Sequence, residues 1–240
     1  MSKIFITGSS TGLGALTAKK LINLGNDVTL HARNRQRAID ALKENPQAKG
    51  VIVGDLSQLN DIKSIAEQVN GLGKFDTIIH NAGVSTPDSF LTSRVNVEAP
   101  YMLTALINKP NRIIYVSSGM HKGANLNIAK LEETVDYSAS KLALMLIMKK
   151  VSNIWNDVSV NAIGPGWVPT RMGGTAATDD LTQGYLSQVW LATSNDPQAL
   201  KSGNYYYHMS LSKYDDRSDD LNFQNKLFKK LYDLTRISFE

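Results

Sequence analysis

The feature that most constrains this chain is an alternation of short apolar runs with amphipathic stretches of helical period. The runs at 3–7, 27–31, 51–55, 76–80, 112–117, 158–163 and 204–207 read as strands. The stretches at 13–24, 34–44, 57–71, 89–108, 134–152 and 179–193 read as helices. Strand and helix in strict turn point to right-handed βαβ units, because parallel neighbours need a crossover and an antiparallel meander does not. The fold class is therefore α/β, a doubly wound parallel sheet of about seven strands with helices on both faces. One unbroken series over 240 residues predicts a single domain spanning 1–240.

Two stretches break the rhythm. One is 119–136, and the other begins at Pro169 and is rich in Gly, Thr and Ala. Both leave the carboxyl ends of predicted strands, where open α/β sheets bind ligands, so a substrate loop is expected near 169–185. The tail turns from charged to amphipathic through Leu221, Phe223, Leu227, Phe228 and Leu231. It predicts a docked terminal helix over 217–236, with a partner-binding helix as the second reading.

Composition removes several function classes. The net charge is +4, the basic residues are scattered, and no aromatic-interleaved basic patch suggests nucleic acid. The chain has no Cys, which excludes disulfides, thiolate catalysis and cysteine metal sites. His31, His80, His121 and His208 are scattered, so no metal site is expected; His121 reads as a loop or substrate contact. The N-terminus enters a strand-like run with no signal-peptide pattern. No apolar run approaches the ~18–20 residues that span a bilayer, so a cytoplasmic protein without membrane contact is expected.

The first predicted strand is followed by Thr7-Gly8-Ser9-Ser10-Thr11-Gly12-Leu13-Gly14, which opens a helix. Glycines there let the backbone turn tightly and approach a pyrophosphate at the positive helix N-terminus. After the second strand, an acid would accept from an adenosine ribose and repel a 2′-phosphate. This chain has His31-Ala32-Arg33-Asn34 instead. Arg33 offers a planar, permanent charge to a phosphate, with Ser9 or Asn34 to assist, which favours NADP over NAD.

Tyr137-Ser138-Ala139-Ser140-Lys141 opens the apolar helix. Residues four apart share a helix face, so the phenol and the ammonium address one patch of space. A cation at about 4 Å in an effective dielectric of about 20 favours the phenolate by at most about 4 kcal/mol. The expectation is a Tyr137 pKa lowered toward neutrality, fit for general acid–base work.

The ordered set of motifs resembles the short-chain dehydrogenase/reductase family, nearest the branch with retinol dehydrogenases and related microbial reductases. The set comprises the Gly8–Gly14 turn, Asp55 after the third strand, His80-Asn81-Ala82-Gly83, Ser117-Ser118, Tyr137 with Lys141, and Asn161 through Thr170. The resemblance covers about 3–210 and implies a single-domain Rossmann fold. It implies that Tyr137 donates or accepts the proton and that Lys141 holds the nicotinamide ribose. Ser118, with Ser117 as the alternative, would bond the substrate oxygen, and Asn96 would hold a water linking Lys141 to solvent. Gly8, Ser9, Ser10, Thr11, Gly12, Leu13 and Gly14 would line the cofactor. So would Arg33, Asn34, Leu56, Asn81, Ala82, Gly83, Pro165, Gly166, Val168 and Thr170. Asp55 either contacts the adenosine or caps the following helix. His80 stands where the family commonly has Asn, which is tolerable if the position works through its backbone.

The implied function is an NADP(H)-dependent oxidoreductase interconverting carbonyl and alcohol on a small or medium apolar substrate. A different class, a catalytically silent NADP-binding sensor on the same fold, has no need of a proton relay. A homodimer or homotetramer pairing through the helix from Tyr137 is also expected, with Leu142, Met145, Leu146 and Met148 serving core or interface equally.

Overall fold

A computed structural model describes residues 1–239 of the chain. The elements run β1 (Lys3–Ile6), α1 (Gly12–Asn23), β2 (Asp27–Ala32), α2 (Arg35–Glu44), β3 (Gly50–Val53), α3 (Leu59–Gly71) and β4 (Thr77–His80). Next come α4 (Ser89–Ser93), a π-helical turn (Arg94–Glu98), α5 (Ala99–Leu106), β5 (Arg112–Val116), α6 (Leu131–Thr134) and α7 (Tyr137–Ile154). The chain continues through β6 (Ser159–Gly164), α8 (Leu181–Thr193), α9 (Pro197–Leu200), β7 (Tyr205–Tyr207), β8 (Ser210–Leu211) and α10 (Leu221–Thr235).

The sheet order is β3-β2-β1-β4-β5-β6-β7-β8, parallel up to β7. Side chains of successive strand residues leave opposite faces. Thus Phe5, Ile78 and Ile113 join one core with α3, α5 and α7, while Ile4, Ile6, Ile79 and Ile114 join the other with α1 and α8. Both faces are covered, as a parallel sheet requires. The strand order reverses between β1 and β4, so the loops that follow them diverge and leave a crevice at the carboxyl edge.

The sheet has eight strands rather than about seven. The extra strand, β8, pairs antiparallel with β7 across a hairpin turned at His208 and Met209, whose φ values are 47° and 63°. No Gly or Asn marks that turn, and a two-residue strand carries no periodicity. The helix expected at 89–108 is interrupted by the π-helical turn, and the one expected at 134–152 starts at Tyr137. There the Asp136 carboxylate accepts from the Ala139 N–H at 2.7 Å and caps α7.

Helix α10 docks on α7 within the same chain, with Leu227 and Leu231 fully buried. Phe228 and Phe239 pack on Tyr101, and Phe239 also meets Trp155. The Tyr101 hydroxyl donates to the Ile237 carbonyl at 2.8 Å. Leu142, Met145, Leu146 and Met148 are all fully buried in the single chain. Their side chains are core of the single chain.

Candidate active site

The crevice is built from the two loops at the switch point. Thr7 Oγ1 accepts from the N–H groups of Asn81 and Ala82 at 3.0 and 3.1 Å, and Asn81 Nδ2 donates back to the Thr7 and Gly8 carbonyls. Gly8 has φ +62°, and a Cβ there would lie 2.8 Å from Ala82 Cα, so only glycine fits this approach. Above Gly12 nothing lies within 4 Å of a would-be Cβ, and Thr11 provides no side-chain cap to α1. First-turn amides without a side-chain cap suit a diphosphate. The strip from Gly8 to Gly14, with Ser10 and Leu13 between, therefore has the shape and polarity for a dinucleotide.

Ser9 is not free to assist a phosphate. Its hydroxyl is fully buried, donating to the Ile6 carbonyl at 2.9 Å and accepting from the His31 N–H at 2.8 Å. His31 is a support that the sequence did not single out. Its Nδ1 accepts from the Gly8 N–H at 2.9 Å, and its Nε2 bonds the Gly54 carbonyl at 3.0 Å, joining the ends of β1, β2 and β3. Burial holds its pKa down at about 4, so the ring is neutral.

Arg33 is exposed at the end of β2 and pairs with no carboxylate among the described residues. Asn34 caps α2 by accepting from the Arg37 N–H at 3.0 Å, which occupies its side-chain oxygen. Asp55 closes a turn on the Ser57 N–H at 2.9 Å, ahead of α3, and therefore does not cap that helix. Leu56 beside it is buried.

Four side chains meet at the carboxyl ends of β4 and β5. Tyr137 and Lys141 occupy the first turn of α7, and Lys141 Nζ lies 5.4 Å from the Tyr137 ring centre. Nζ also donates to the Val116 carbonyl at 2.9 Å. Asn96, in the π-helical turn, accepts from the Val84 N–H at 2.8 Å and donates to the Ser140 hydroxyl at 3.0 Å. A Cβ on Gly83 would lie 3.3 Å from Lys141 Nζ and 3.4 Å from Asn96 Oδ1, so the segment after β4 passes close against both side chains. Ser117 turns inward, donating to the Lys141 carbonyl at 3.2 Å, whereas the Ser118 hydroxyl accepts from the Met120 N–H at 3.2 Å and lies near enough to the Tyr137 phenol to lower its pKa. Geometry thus separates the two serines.

The electrostatics differ from the sequence expectation. Burial pushes the Tyr137 phenol above its ordinary pKa, with the Ser118 hydroxyl acting in the opposite direction. Burial also brings Lys141 down to about 8. Spacing along a helix places two groups on one face but does not reveal how dry that face is, and here desolvation dominates both.

Beyond β6, Pro165, Gly166, Val168 and Thr170 lead into the expected substrate loop, with Val168 buried. Asp179 fastens it, accepting from the Trp167 N–H at 2.7 Å and the Tyr207 hydroxyl at 3.2 Å. Thr170 Oγ1 accepts from the Gly173 N–H at 3.2 Å within that loop. A cavity of about 380 Å³ adjoins the phenol, lined by Ser85, Pro87, Met120, Asp136 and Tyr137 among others. His121 does not line it; the ring is fully buried. Ser140, His31 and Thr7 act through contacts between distant segments, and only Thr7 carried a motif signal.

Residues 2–181 match the short chain dehydrogenase family. An uncharacterized oxidoreductase of Emericella nidulans is 36% identical over 242 residues, 95% of each chain. Retinol dehydrogenase 14 of Mus musculus is 28% identical over 85% of this chain and 76% of its own. The NADPH-bound carbonyl reductase from chicken fatty liver shares the fold, with a TM-score of 0.72 at 20% identity over 89% of this chain and 99% of that one. With the glycine turn and the Tyr137–Lys141 pair in these positions, the chain belongs to the short-chain dehydrogenase/reductase family of oxidoreductases.

Proposed function

We propose that this chain is an NADP(H)-dependent oxidoreductase that interconverts a carbonyl and an alcohol on a small or medium apolar substrate. The observation that carries the reading is the Tyr137 phenol, with the Ser118 hydroxyl near it, beside a buried Lys141 and lining a surface cavity. A nicotinamide dinucleotide supplies the hydride when bound. The residues from Gly8 to Gly14 would hold its diphosphate, Asp55 and the Asn81–Gly83 backbone its adenosine side, and Thr170 its carboxamide. An unpaired Arg33 where an acid is missing supports the 2′-phosphate. NADPH in the chicken carbonyl reductase, on the same fold, supports it further.

The chain's own part is proton transfer and charge stabilisation. Ser118 donates to the substrate oxygen as negative charge builds there. Tyr137 gives that oxygen its proton in reduction and removes it in oxidation. Lys141, titrating near 8, sits where it can stabilise the phenolate through space. Asn96 and Ser140 hold the wall of this cluster by bonding α7 to the segment after β4.

The test is NADPH oxidation against a panel of aldehydes, ketones and quinones, with NADH in parallel and Tyr137→Phe as the blank. Turnover that disappears in Tyr137→Phe, with NADPH binding retained, is the expected result. Turnover that survives in Tyr137→Phe overturns the assignment.

A further inference from the structure

The segment between Ser118 and Tyr137 is irregular, yet it begins with a fully buried imidazole that the proposed reaction does not use. Ser118 starts a short 3-10 turn, Gly119–His121, and the His121 ring folds back beneath it. The ring Nδ1 lies 2.5 Å from the Ser118 carbonyl, which also accepts from the His121 backbone N–H at 3.1 Å. On the other side of the ring, Nε2 lies 3.2 Å from the backbone N–H of Asp215, in the segment that precedes α10. A carbonyl only accepts and an N–H only donates, so the two contacts demand one state: a neutral ring with its proton on Nδ1.

The surroundings hold that state. The edge of the ring meets Tyr205 with centres 4.8 Å apart, and burial lowers the pKa of His121. The tail segment is itself fastened beside it. Asp215 Oδ2 accepts from the Gly123 N–H at 2.8 Å, and Arg217 pairs with Asp215 while donating to the Ala124 carbonyl at 2.8 Å. Residues 121–124 and 215–217 thus form one hydrogen-bonded unit, built from segments about as far apart in sequence as Gly123 and Asp215.

We propose that His121 is a positioning residue that fixes Ser118 against the tail, so that the C-terminal segment helps to set the serine hydroxyl at the phenol of Tyr137. The proposal rests on the oxidoreductase reading above. A hydroxyl that must meet a substrate oxygen and a phenol together tolerates little displacement, and its backbone is anchored here on one side by β5 and on the other by this ring. Loss of the ring's two bonds frees the second anchor while leaving the cofactor strip, on the other side of the switch point, untouched.

His121→Phe keeps the ring volume and the contact with Tyr205 but neither donates nor accepts. The expected result is a fall in kcat of about 10- to 100-fold, with the NADPH dissociation constant unchanged. In a double-mutant cycle with Ser118→Ala, the His121→Phe loss should vanish once the serine hydroxyl is gone; full additivity overturns the proposal. Ring-nitrogen NMR of the unsubstituted protein gives a reading independent of any variant's folding. A proton on Nδ1 at neutral pH supports the assignment, and a proton on Nε2 overturns it. If Tyr137→Phe is inactive while His121→Phe turns over at the wild-type rate, this proposal alone falls. If Tyr137→Phe remains active, the oxidoreductase reading falls with it.

Discussion

The ammonium of Lys141 donates to the main-chain carbonyl of Val116 at 2.9 Å, so the cation of the site is anchored on the last residue of β5 and not on an acid. No carboxylate pairs with it among the described residues, and it is almost fully buried. A buried, uncompensated ammonium is unfavourable, which is why its pKa falls to about 8.

Lys141→Met is therefore expected to abolish turnover and yet stabilise the fold by about 1–2 kcal/mol at pH 7, net of the lost hydrogen bond. The sign follows from linkage. A lysine at about 8 folded and 10.5 unfolded makes the unfolded chain bind the proton more tightly, so wild-type stability from this site rises between those pH values. The advantage of Lys141→Met should shrink as the pH is raised from 8 toward 10.5. Denaturant titration of both proteins at pH 7 and pH 10 measures it; an equal difference at both would count against the buried ammonium.

The raised Tyr137 pKa gives the two directions of reaction different pH profiles. At neutral pH the phenol carries its proton, which is the form that carbonyl reduction uses. Alcohol oxidation needs the phenolate, whose population grows about tenfold per pH unit below the pKa. The kcat/KM for oxidation should climb with alkaline pH while that for reduction stays level across the same range. Initial rates in both directions from pH 6 to 10 decide this.

Arg33→Asp should weaken NADPH binding by about 10- to 100-fold, through loss of a charge-assisted pair and a new repulsion. NADH, which lacks the 2′-phosphate, should bind nearly as before. Fluorescence titration with both dinucleotides measures the ratio, and equal losses would remove Arg33 from the phosphate site.

His80 predicts acid lability. Its Nε2 bonds Thr104 Oγ1 at 3.0 Å, its ring stacks on Tyr115, and its Nδ1 is buried with no partner in the structure. Burial lowers its pKa to about 3, so as the pH falls from 6.5 toward 3 the unfolded chain takes up the proton first and stability is lost. Between pH 7 and pH 5 this one site should remove about 2 kcal/mol. His80→Asn should lose that much less over the same interval, as read by urea unfolding at the two pH values. His31, at about 4, contributes in the same window and is left in place as the internal reference.

The alternation of elements, the short apolar run through Ile4, Phe5 and Ile6, and the helical spacing of Tyr137 and Lys141 were legible in the sequence, because each depends on residues close along the chain. So was the glycine turn between β1 and α1, whose tight backbone requires its residue types. What tertiary structure alone decided are relations between distant segments. Ser9 turns inward because His31 waits beneath it, and His121 meets Asp215 across most of the C-terminal half. The apolar face of α7 became core because β6, α10 and the segments beside them pack around it, a fate that the pattern of Leu and Met cannot distinguish from an interface. The direction of the Tyr137 shift belongs to the same class. Charge spacing is local and can be counted along a helix, whereas desolvation is set by everything the fold packs around the group, and it is the largest cause of the shift here.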